Sequence, residues 1–97
     1  MSEPRVSDKP DESRFEISLD GEVVGVADYV RDGATVTFTH TIVEPAYEGR
    51  GLGATLVGAA LDSTRAAGLT VVPQCSFVRH YIETHPSYAD LVASLRP

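Results

Sequence analysis

A single cysteine among 97 residues leaves no internal disulfide framework and cannot by itself build a zinc site, so no metal is expected. Basic residues are scarce. Eight Lys plus Arg against fourteen Asp plus Glu give a formal net charge of −6, which disfavours generic binding to nucleic acid or to an anionic membrane surface. No apolar run approaches the length of a membrane span, and no basic-then-apolar stretch opens the chain as a secretory signal would. Internal repeats are missing as well. What is present is ordinary: 42% hydrophobic and 23% charged residues, the composition of a globular chain. A domain of this size buries roughly 60–68% of the surface its unfolded chain exposes. The expectation is one small cytoplasmic domain, monomeric or weakly dimeric.

Residues 1–13, MSEPRVSDKPDES, are polar, with two prolines and no apolar period. They read as a flexible leader ahead of one folded unit over residues 14–97. Alternation from Arg14 to Leu19 puts Phe15, Ile17 and Leu19 on one face of a strand. Asp20-Gly21 is a strong hairpin turn, leading to a second strand from Glu22 to Arg31, and Asp32-Gly33 repeats the signal. In the third strand Ala34, Val36, Phe38 and Ile42 fall on even positions and four threonines on odd ones. Leu52, Leu56, Ala59 and Ala60 then recur at helical spacing, predicting a helix from Gly51 to Ala67 that stops at Gly68. Gly58 inside it costs about 1 kcal/mol relative to alanine, a cost that close packing on the sheet would justify. Leu69–Val72 reads as a short buried strand, Ser76 as the cap of a second helix ending before Pro86, and residues 87–95 as a last short helix. The order β-β-β-α-β-α-α predicts an α+β fold with helices packed on a mostly antiparallel sheet.

Three glycines, Gly49, Gly51 and Gly53, stand in five positions between a strand and the long helix. Such a segment bends tightly and leaves backbone N–H groups uncovered. The helix beginning there aims its own unpaired N–H groups and partial positive charge at the same spot, a setting for phosphate groups. The alternative is a bend that only joins strand to helix. Gly49, Gly51 and Ala54 formally satisfy the dinucleotide fingerprint. Its context fails, because the preceding strands form hairpins and no acidic residue stands at position 74, which is Gln. A P-loop fails too, since no Gly-Lys-Ser/Thr follows.

An antiparallel meander, a glycine loop, an amphipathic helix and a strand, in that order, resemble the GNAT superfamily of acyl-CoA-dependent N-acetyltransferases. The superfamily loop, Arg/Gln-x-x-Gly-x-Gly/Ala, maps onto Glu48-Gly49-Arg50-Gly51-Leu52-Gly53 with both glycines matched and Glu48 as the departure. A narrower set of motifs resembles the small YjdJ-type branch. It comprises His40-Thr41-x-Val43, the glycine loop, Val72-Pro73-x-Cys75-Ser76-Phe77-Val78, Tyr81 and His85-Pro86. The resemblance implies an open acceptor site without the usual N-terminal elaboration. It implies acetyl-CoA as cosubstrate, held along Glu48 to Ala54, and an amine-bearing small molecule or protein as acceptor. A CoA-binding module with little or no catalysis is the alternative.

Moving an acetyl group from a thioester to an amine requires an oxyanion to be stabilised, an amine to lose a proton and a thiolate to leave. A free lysine amine is only about 0.04% neutral at pH 7, so a proton acceptor matters. The resemblance implies that backbone groups around Ile42 and Val43 receive the acetyl and pantetheine arm, with the Val43 N–H facing the oxyanion. Cys75, at a strand end before a helix, is a candidate proton acceptor or acetyl-accepting nucleophile, or else a small buried apolar group. By parity His40 shares the apolar face with Phe38, as a packed histidine, unless a bulge re-aims it towards catalysis. By resemblance Tyr81 protonates the departing thiolate; by packing alone it stacks with Phe77 and Ile82. Arg50 is either a contact for CoA phosphates or an exposed loop cation.

Overall fold

The computed structural model describes residues 3–92. Five strands run in chain order across one sheet: β1 (Arg5–Lys9), β2 (Arg14–Leu19), β3 (Glu22–Asp32), β4 (Thr35–Val43) and β5 (Thr70–Pro73). The first four pair antiparallel, and β5 joins β4 in parallel. Helix α1 (Leu52–Ala66) makes the crossover between them, and α2 (Ser76–Thr84) follows β5. This is the expected α+β architecture, with a mixed sheet and packed helices.

The N-terminal segment departs from its reading as a flexible leader. Arg5–Lys9 pairs residue for residue with Ser18 back to Arg14. Its side chains bury little, so composition hides it; backbone hydrogen bonds and the bond from the Tyr29 hydroxyl to Asp8, 2.7 Å, hold it to the sheet. Pro4 and Pro10 bracket this edge strand, which limits pairing with another chain. The first hairpin forms as its residues demand, with Asp20 at φ 51° and Gly21 at φ 83°. The second turns on Gly33 and Ala34, one residue later than Asp32-Gly33, with positive φ at Gly33 alone.

One face of the sheet holds the core. Phe15, Ile17, Tyr29, Val36 and Phe38 pack with Leu56, Val57 and Leu61 of α1 and Val78 and Ile82 of α2. Phe15, Tyr29 and Phe38 form an aromatic cluster, with ring centroids 5.4 Å (Phe15–Tyr29) and 6.1 Å (Tyr29–Phe38) apart. Burial, and secondly the bond to Asp8, push the Tyr29 phenol up to about 12.

Two glycines in α1 are there for α2. A Cβ on Gly58 would stand 2.7 Å from the Tyr81 hydroxyl, and one on Gly53 would stand 2.8 Å from the Phe77 ring. Gly58 thus answers to the neighbouring helix and not to the sheet. The chain after α2 forms a 3₁₀ segment, Pro86–Leu91, where a helix over 87–95 was expected; residues 93–95 lie outside the described residues. Arg65 clasps this segment to α1 through Asp90, at 2.9 Å, and the Ser87 carbonyl. The Tyr88 hydroxyl donates to Asp62 at 2.7 Å. That bond, with some burial, lifts the Tyr88 phenol to about 12, while Arg65 holds the Asp90 carboxyl below its usual range.

A candidate acyl-thioester cavity

The site begins with one extra residue in β4. Phe38 pairs with Tyr29, but His40 pairs with Asp28, so Thr39 is inserted between them. Its hydroxyl donates to the Asp28 carbonyl at 3.4 Å. A one-residue bulge reverses the facing of everything beyond it. Val36 and Phe38 are inward and buried; after Thr39 it is Thr41 and Val43 that turn inward, while His40 and Ile42 are exposed. The histidine expected among core residues therefore sits on the opposite, open face of the sheet.

The same point ends the pairing with β5. The last parallel partners are Phe38 and Pro73, followed by one bond from the Cys75 N–H to the Phe38 carbonyl at 2.8 Å. Beyond it the β5 side of β4 is open. The Glu44 N–H donates to the Val24 carbonyl at 2.8 Å. Successive N–H groups along a strand point to opposite edges, so the Val43 N–H is aimed away from β3, into the opening. The Ile42 carbonyl stands 3.1 Å from where a Gly25 Cβ would be, on the β3 side. Ile42, expected beside Val43 in the site, gives it neither backbone nor side chain.

A cavity of about 390 Å³ fills this opening. Thr41 and Val43 line it from β4, Tyr47 and Glu48 from the connection, and Phe77 from α2. Its remaining wall is the glycine loop, with Gly49 and Gly51, and the start of α1, with Leu52, Gly53 and Ala54. Gly49 and Gly51 have φ of 86° and 76°, and a Cβ on either would meet nothing within 4 Å. These glycines supply a backbone conformation that side chains resist, under uncovered space. Gly51 caps α1, so the N–H groups of the helix's first turn have no intrahelical partner. That donor set, with the positive end of the helix dipole, suits phosphate groups.

Of the residues singled out from sequence, Val43, Glu48, Gly49, Gly51, Leu52, Gly53 and Ala54 meet in this cavity. Arg50 does not line it; the guanidinium lies 5.2 Å from the Tyr47 ring centroid. It lines a neighbouring hollow with Asp20 and Glu22. Cys75 is buried and lies outside the lining, its thiol donating to the Thr41 hydroxyl at 3.4 Å. It is Cys75, not Ser76, that occupies the cap position of α2. Tyr81 lies outside the lining too, its hydroxyl over Gly58 and its ring stacked on His85 with centroids 3.9 Å apart. Thr41 and Phe77 enter the sequence reading as members of motifs, and neither they nor Tyr47 is assigned there to the site, though all three line the cavity. Even spacing set Thr41 on the wet face, and only the bulge brings it in.

The pattern of the GCN5-related N-acetyl-transferase family matches residues 14–91. A solution structure of a GCN5-like candidate N-acetyltransferase from Staphylococcus aureus superimposes with a TM-score of 0.72 at 26% identity, over 99% of this chain and 94% of that one. The ribosomal-protein-S18-alanine N-acetyltransferase from Escherichia coli gives 0.65 at 15% identity, over 88% of this chain and 76% of that one. A GNAT family acetyltransferase from Brucella melitensis, solved with acetyl-CoA, gives 0.55 at 21% identity, over 70% of this chain and 50% of that one. No curated protein sequence matches.

Proposed function

We propose that this chain, which belongs to the GCN5-related N-acetyl-transferase family, binds acetyl-CoA in the cavity and transfers the acetyl group to an amine. One observation carries the reading: the N–H groups of the first turn of α1, which lack an intrahelical partner, and the Val43 N–H, aimed away from β3, border the same cavity. The loop end suits the pyrophosphate and the β4 end suits a carbonyl oxygen that becomes negative. The amine nitrogen attacks the thioester carbon, giving a tetrahedral oxyanion held by Val43. The attacking nitrogen, positively charged in this intermediate, gives up one proton, the C–S bond breaks, the C–N bond remains, and the departing thiolate takes up one proton, so that neutral amine and thioester become amide and thiol. Holding donor and amine together supplies the rate advantage of proximity. The motif set, from His40-Thr41-x-Val43 to His85-Pro86, supports the further reading that the chain is of the YjdJ type.

A second reading, a CoA-binding module without turnover, is favoured by a specific observation. Cys75, His40 and Tyr81, the candidate proton-handling groups, all lie outside the cavity lining. One experiment tests both. Acetyl-CoA is titrated while backbone amide shifts are followed, and CoA release is then measured with a panel of primary amines. Shifts at Gly49 to Ala54 and Val43 with amine-dependent release support the transferase; shifts without release support the module. Unmoved loop amides overturn both.

A further inference from the structure

The phosphate-binding reading fixes which end of the cavity is which, and the far end has an unusual wall. Thr41 lines it, and directly behind Thr41 stands Cys75, with Sγ 3.4 Å from the threonine Oγ1. The thiol has nowhere to retreat. Cys75 is 8% exposed, and its N–H is tied to the carbonyl of Phe38, itself 1% exposed, at the last junction of β4 with β5. The wall is thus two side chains deep and backed by close-packed core, where each added methylene displaces neighbours.

We infer that the Thr41–Cys75 pair sets the size of the acyl group the protein accepts, admitting acetyl and excluding longer chains. This inference rests on the acyl-thioester reading and adds a selectivity for the donor that the glycine loop lacks. The loop meets only phosphate and pantetheine groups, which every acyl-CoA shares. Discrimination must therefore come from the end where Thr41 stands. The role inferred for the two residues is that of a wall for the acyl tail.

The test uses the full chain and three donors, acetyl-CoA, propionyl-CoA and butyryl-CoA, with dissociation constants measured by calorimetry. The wild-type protein is expected to bind acetyl-CoA at least roughly tenfold more tightly than butyryl-CoA, which carries two surplus methylenes where one alone is worth about 10-fold or more in a fitted pocket. Cys75→Ala and Thr41→Ala should each narrow that ratio, whereas Cys75→Ser, which keeps the contact, should preserve it. A merely structural role would weaken all three donors together and leave the ratio unchanged. Equal wild-type affinity for the three donors overturns the inference without any variant, so a misfolded mutant does not protect it. An unchanged ratio in both folded alanine variants also overturns it. Failure to bind any of the three donors overturns the acyl-thioester reading itself, an outcome distinct from a flat ladder.

Discussion

From Thr35 to Phe38, β4 is paired on both edges, to β3 and to β5, and its inward side chains are core. From His40 to Val43, beyond the inserted Thr39, it is paired to β3 alone, and its inward side chains line a cavity. The chemistry of the two halves is alike, since threonines and β-branched residues run through both. What separates them is one inserted residue and the end of one neighbour. An inward position in the first half does stabilising work, and an inward position in the second is left available for a ligand.

The comparison breaks most completely if the insertion is removed. Deleting Thr39 restores strict alternation and turns His40 and Ile42 inward, so acetyl-CoA binding should fall by about 100-fold or more, read by calorimetry. Next come single truncations in the two halves. Phe38→Ala should cost about 3–5 kcal/mol, while Ile42→Ala, at a side chain in a residue 49% exposed, should stay within about 0.5 kcal/mol; urea unfolding reads both. A third approach uses alkali against the paired half, because Tyr29 packs on Phe38. Its phenol is raised from 10 to about 12, so folding favours the neutral form. That contribution is whole below pH 10 and is lost as pH rises towards 12. Tyr29→Phe should accordingly lose less stability than wild type between pH 10 and 12 in thermal melts, with Tyr88 accounting for part of the remaining decline. The smallest effect sharpens the open half. Glu48 on the cavity rim opposes a polyanion, and Glu48→Gln should tighten CoA binding roughly fivefold at low salt, about 1 kcal/mol, with the gain shrinking as salt increases.

Much of this was legible in residues. Asp20-Gly21 named its turn, the odd threonines of β4 named a strand, and Gly68 named the end of α1, adopting φ 73° one residue past the capping Ala67. The glycine loop pointed to the cavity because its composition and its function have one physical cause, backbone left uncovered. The misses share a cause as well. β1 is held by ladder bonds, the Tyr29 phenol and one partly buried side chain, Val6, so its polar sequence carries too little burial signal to show a strand. Thr39 looks like any threonine in an alternating strand, and only the partner register shows it to be the extra residue. Gly53 and Gly58 read as helix defects until the rings of Phe77 and Tyr81 are seen lying on them. Local patterns report on local geometry, and each of these features depends on a distant partner.

Strand order that follows chain order also bears on how the molecule assembles. Every antiparallel pair joins neighbours in sequence and can zip from its own turn, whereas β4 and β5 meet only after the chain has travelled through all of α1. Closing that long loop costs the most chain entropy of any step in the sheet. The cavity lies on that seam, with β4 on one side and the start of α1 and α2 on the other. The cavity walls are therefore the part of the fold assembled last, after every hairpin has zipped, and they rest on the same parallel pairing that buries Val36, Phe38 and Val71.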